Sequence, residues 1–94
     1  MGDYTHREPG DYYHGVIVQA DDRWRVIICR SNLQYILQRR SAKPLNKGLW
    51  IGKHYCTTRD CLISVCSTLG LLSDANTEEV LHRLPDRAQD YHRN

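Results

Sequence analysis

Trp24-Arg25-Val26-Ile27-Ile28-Cys29-Arg30-Ser31-Asn32-Leu33-Gln34-Tyr35-Ile36-Leu37-Gln38-Arg39-Arg40 carries the clearest structural pattern in the chain. Successive side chains of a strand point to opposite faces, so Trp24, Val26 and Ile28 share one side and Arg25, Ile27 and Cys29 the other. Ser31-Asn32 is a tight-turn pair. Leu33, Tyr35 and Leu37 then alternate with Gln34, Ile36 and Gln38, which completes the pattern of an antiparallel hairpin with one buried face.

Outward from the hairpin, Gly15-Val16-Ile17-Val18-Gln19 ahead of Ala20-Asp21-Asp22 predicts a short edge strand. On the other side, a polar loop from Ser41 to Gly48 leads to a strand over Leu49–Cys56, whose Gly52 requires a close neighbour at that point. At Thr57 the apolar period changes from two to 3.6. Thr57 with Asp60 fits a capping box, Leu62, Val65, Cys66 and Leu69 form a helical stripe, and Gly70 occupies a C′ position, which predicts a helix over 58–69. A second helix begins near Asn76 as its cap, turns Val80, Leu81 and Leu84 inward and stops at Pro85. The expected fold is α+β, an antiparallel sheet of three or four strands packed on one face by two C-terminal helices. The expected organisation is a loosely attached segment over 1–14, which Tyr12 and Tyr13 would pin if it docks, one domain over 15–85 and a polar tail over 86–94.

Ninety-four residues suffice for one small domain. A mean hydropathy of −0.62 and the absence of Phe imply a thin core. No apolar run is long enough for a spanning helix, and Met1-Gly2-Asp3-Tyr4-Thr5-His6 lacks the features of a signal peptide, so a cytoplasmic protein without membrane contact is expected. Charge is sorted along the chain. Arg23 to Arg59 carries nine cations and no acid, whereas the flanks carry four Arg against 11 acids, so the middle is +9 and the ends are −7. Such segregation suggests an anionic partner for the middle, the alternative being a solvated face paired with Asp60, Glu78 and Glu79.

Little in the chain suits catalysis. His54, Cys56, Cys61 and Cys66 invite a metal search, but Cys61 and Cys66 lie about 140° apart around a helix at 3.6 residues per turn and form no zinc knuckle. They read as small apolar side chains, and disulfides are not expected where no export signal is present. His54 and Cys56 lack an orienting third group, the segment Gly48 to Lys53 lacks the spacing of a phosphate loop, and the centre has no carboxylate pair. No metal or cofactor is implied.

The sheet face away from the helices supplies the candidate site: Arg25, Gln34, Gln38 and Arg40, joined by Lys53 and Tyr55 and flanked by Arg30, Arg39 and the loop cations Lys43 and Lys47. Arg forks onto guanine or phosphate and Gln pairs with adenine, so duplex DNA is the first partner expected. Ile27 and Ile36 on the same side suit a protein interface instead. A homodimer through the edge strand or the second helix also fits the pattern.

The run Trp24 to Arg30, together with Trp50-Ile51-Gly52-Lys53-His54-Tyr55-Cys56-Thr57, resembles the three-stranded sheet and helix of plant AP2-type and phage-integrase arm-type DNA-binding domains. That resemblance spans Trp24 to Leu69 and implies DNA contacts at Arg25, Arg30 and Lys53. The motifs Trp24 to Arg30, Gln34 to Arg40 and Cys56 to Ile63 also look like small proteins of bacterial mobile elements, a size class that includes anti-CRISPR inhibitors. This second likeness implies no activity by itself, and the alternative expectation is a small mobile-element protein that binds and inhibits a protein complex handling nucleic acid.

Overall fold

The computed structural model describes residues 7–41 and 49–92. Four strands, β1 (Val16–Gln19), β2 (Trp24–Ile28), β3 (Tyr35–Arg40) and β4 (Trp50–Cys56), form an antiparallel sheet in the order β1-β2-β3-β4. Two helices follow, α1 (Arg59–Thr68) and α2 (Ala75–His82), with single 3-10 turns at Leu71–Ser73 and Ala88–Asp90. This is the α+β order that the periodicities predict. No described helix is long and apolar enough to cross a membrane.

The hairpin register places Val26 opposite Leu37 and Ile28 opposite Tyr35, so the alternating set of both strands lands on the helix side. There Val26, Ile28, Tyr35, Leu37 and Cys56 meet Leu62 and Cys66 of α1 and Leu81 of α2 in one buried cluster. Each large apolar side chain buried in this way stabilises the fold by about 1.5–3 kcal/mol. Asn32 turns the chain at φ 62°, and its side-chain amide donates to the Tyr91 carbonyl at 2.9 Å, which draws residues near the C-terminus onto the hairpin end. Ala88, within the expected tail, is fully buried.

Several local details differ from the expectation. Leu33 is 56% exposed, because β3 begins only at Tyr35. The cap of α1 is Thr58, whose hydroxyl accepts from the Cys61 N–H at 3.2 Å, and not Thr57. The cap of α2 is Asp74, whose carboxylate accepts from both the N–H and the hydroxyl of Thr77, and not Asn76. Gly70 sits just past α1 at φ 76°, the left-handed conformation expected there.

The larger difference lies in β4. Leu37 faces His54 while Gln38 faces Gly52, so Lys53 is an extra residue in the ladder, a β-bulge. A bulge resets the alternation, which puts Trp50 on the far side of the sheet and Cys56 in the helix-side core. Gly52 lets the exposed Tyr55 ring fold back over the strand, since a Cβ there would stand 2.8 Å from the ring carbon Cζ and the ring would have to swing aside.

The far side of the sheet carries a second cluster, Tyr13, Ile27, Cys29 and Ile36. Residues 7–14 cross this face as a docked strap. The Tyr13 hydroxyl donates to the Ile28 carbonyl at 2.7 Å, the Trp50 N–H donates to the Pro9 carbonyl at 2.9 Å, and the Trp50 indole N–H donates to Asp11 at 2.9 Å. Gly15 permits the approach, since a Cβ there would sit 2.5 Å from the Tyr13 ring. The chain thus builds two thin layers, one on each face of the sheet.

Candidate partner-binding face

The far face is organised by Arg25. It lies on the middle of β2, where register sets it opposite Gln38 and Gln38 opposite Gly52. Its Nε donates to Gln38 Oε1 at 2.7 Å, and one terminal nitrogen donates to the Glu8 and Gly10 carbonyls at 2.9 and 2.8 Å. The guanidinium lies 4.4 Å from the centre of the Trp50 ring, a cation–π contact. Gln38 completes the knot by donating to the Glu8 carbonyl at 3.0 Å. Burial lowers the Arg25 pKa to about 10, with nearby Asp11 opposing the shift, so the group stays charged at neutral pH. Both Arg25 and Gln38 are only 2% exposed.

The expectation that Arg25 and Gln38 stand on an open sheet face is therefore corrected: they face away from the helices, but the strap covers them. Ile27 and Ile36, expected beside them as interface residues, are buried under Tyr13 and its neighbours. The sequence signal for this cover was Tyr13 ahead of Gly15, an aromatic anchor followed by a residue without Cβ, whereas Tyr12, expected to help pin the segment, is 80% exposed.

The remaining predicted positions do not converge. Arg40 is half-buried on the far face, 3.4 Å from the Asp11 carboxylate and 5.5 Å from the Trp50 ring. Arg39, one residue earlier, points to the opposite face and lies 5.2 Å from the Trp24 ring. Arg30 is exposed beyond the end of β2, with its backbone N–H bonded to the Glu8 carboxylate at 2.7 Å, and Gln34 is half-buried before β3. Arg59 lies within 4.0 Å of Asp86 and 3.9 Å of Asp60. Lys43 and Lys47 lie outside the described residues.

Lys53 and Tyr55 do lie on one strand, β4, beside apolar residues that sequence reasoning did not single out. Leu49, Ile51 and Tyr55 are 54%, 47% and 56% exposed along this edge of the sheet, and Lys53 bulges out between the last two. A cleft of about 330 Å³ opens between β4 and the strap, with Pro9, Ile36, Trp50 and Tyr55 among its walls. The signal that could have found this edge is Gly52: a glycine in a strand marks a bulge, and a bulge breaks the alternation that had placed these side chains.

Among the described residues no group of three His, Cys, Asp or Glu side chains is placed to hold a metal ion. Cys29 has an unusual surrounding, accepting from the N–H groups of Leu33 and Gln34 at 3.2 Å each and touching the Ser31 hydroxyl at 3.3 Å. Burial raises its pKa, but these hydrogen bonds together outweigh burial and leave it below the ordinary thiol value. Comparison of the chain with family models, with curated proteins and with solved structures returns no match.

Proposed function

We propose that this chain is a non-enzymatic binding module whose partner is a protein, docked along the β4 edge. The observation that carries the reading is the exposure of Ile51, Lys53 and Tyr55 on the last strand of the sheet, with exposed Leu49 just before it. The strap's Pro9 carbonyl already takes the Trp50 N–H, but the rest of this edge strand can offer backbone donors and acceptors to an added strand, with apolar side chains on both faces of the bulged edge to give the contact its specificity. The +9 charge of residues 23–59 favours an acidic partner surface, as in a complex that handles nucleic acid.

Duplex DNA is the competing reading, supported by the same charge and by exposed Arg30 and Lys53. It is the weaker one, because Arg25 and Gln38, which would read base edges, are hydrogen-bonded inside the fold. Two measurements separate the readings. A gel-shift titration with duplex DNA at low and high salt is expected to show no shift. Capture on the immobilised chain is expected to retain one complex in fixed stoichiometry, lost with Ile51→Asp or Tyr55→Ala. A salt-sensitive shift that Lys53→Glu and Arg40→Glu abolish would replace the protein partner with DNA.

A further inference from the structure

Cys56 ends β4 and Cys61 stands in the first turn of α1, so the strand-to-helix turn brings the two sulfur atoms to 2.8 Å. A disulfide needs about 2.05 Å, so a small side-chain rotation closes the gap. Access to the two is unequal: Cys61 is exposed and Cys56 is buried beneath it. The other two thiols are kept apart from the pair's outer side. Cys66 is fully buried on α1, about 140° around the axis from Cys61 at 3.6 residues per turn, and Cys29 sits in the cluster on the opposite face of the sheet.

We propose that Cys56 and Cys61 are a dithiol site that small-molecule disulfides such as oxidised glutathione convert to an intrachain disulfide. Cys61 loses its proton to solvent and attacks one sulfur of the external disulfide, forming a mixed disulfide and releasing one glutathione thiolate, which takes up a proton. Cys56 then gives its proton to solvent and attacks Cys61 Sγ. The Cys56–Cys61 bond forms, the bond from Cys61 to glutathione breaks, and a second glutathione leaves and is protonated. Two thiols of the chain are oxidised and one external disulfide is reduced to two thiols. Burial, together with the neighbouring Cys61 and Cys66 groups, raises the Cys56 pKa to about 12, which fits Cys56 as the resolving thiol rather than the attacking one. The new bond would tie the end of the proposed docking strand to the start of α1.

The test treats the folded, reduced chain with oxidised glutathione, alkylates the remaining thiols after denaturation, and maps peptides by mass spectrometry. The expected product has lost the mass of two hydrogen atoms, holds a Cys56–Cys61 link, and carries alkyl groups on Cys29 and Cys66. Cys56→Ala should instead retain glutathione on Cys61, and Cys61→Ser, at an exposed position, should form neither product while keeping the native circular dichroism spectrum. A lasting glutathione adduct on the unsubstituted chain, a link through Cys29 or Cys66, or four unreacted thiols would overturn the proposal.

Discussion

Arg25 is the residue on which the far face depends. A buried cation is tolerated only where its donors are satisfied, and here Gln38, Glu8, Gly10 and the Trp50 ring do so. Arg25→Met keeps much of the volume but strands the Gln38 carbonyl and the two strap carbonyls, so a loss of about 3 kcal/mol is expected, read as a lower urea midpoint at unchanged slope. Arg25→Lys should rescue little, since an ammonium cannot hold the forked geometry. The buried thiols give a second residue-scale expectation. Burial raises Cys66 from 9.0 to about 11, and burial with its thiol neighbours raises Cys56 to about 12. A folded-state value above the unfolded one means that the folded state holds more protons in between, so stability is complete below pH 9 and falls as pH rises toward those values. Arg25, lowered to about 10, acts in the opposite sense above that pH, and Cys29, held below 9.0, does so as pH rises toward 9, so the two raised thiols are best isolated between pH 9 and 10. Under reducing conditions Tm should decline across that interval, less steeply in Cys66→Ala. Equal slopes would contradict the assignment.

At the scale of elements, caps and the bulge decide where strands and helices begin. Asp74 accepts two hydrogen bonds from Thr77, and those bonds lower its pKa. Asp74→Ala should lower the melting temperature by removing the cap, whereas Asn76→Ala, which removes no cap, should melt close to the parent. Thermal denaturation of the pair checks this, and the two should converge as acid protonates Asp74, because a lowered carboxyl value contributes stability that is lost as pH falls. Both caps were legible as polar residues ahead of apolar stripes, yet each lay off the expected position, by one residue for α1 and two for α2. Sequence offers Thr57 beside Thr58 and Asp74 beside Asn76, and only the entry angle of the chain selects between them. The bulge at Lys53 was less legible. Period-two reasoning assigns Trp50 and Cys56 to the same face, and one unpaired residue reverses that for half the strand.

At the scale of the whole molecule, the strap makes a two-faced sheet viable. A chain lacking residues 1–14 would expose Ile27, Ile36, Trp50 and the Arg25 charge together, so it is expected to bind a hydrophobic dye and to unfold at a markedly lower temperature than the full chain. Tyr13→Phe, which keeps the ring and loses the bond to Ile28, should cost only about 1 kcal/mol by the same melting measurement. A truncated chain as stable as the parent would show that the strap is ornamental to the fold.

The strand order, the two helices and the helix-side core were legible before folding, because hydrophobic alternation and 3.6-residue stripes are local properties that specify which face of each element is buried. The sequence also carried the charge sorting and placed Lys53 and Tyr55 among the candidates. Folding in three dimensions closed the opposite face, made Arg25 and Gln38 internal, and left Ile51 and Tyr55 of β4, with Leu49 just before it, exposed. Those outcomes rest on contacts between residues far apart in the chain, Glu8 with Gln38 and Asp11 with Trp50, and on one bulged residue, none of which leaves a periodic trace in the sequence.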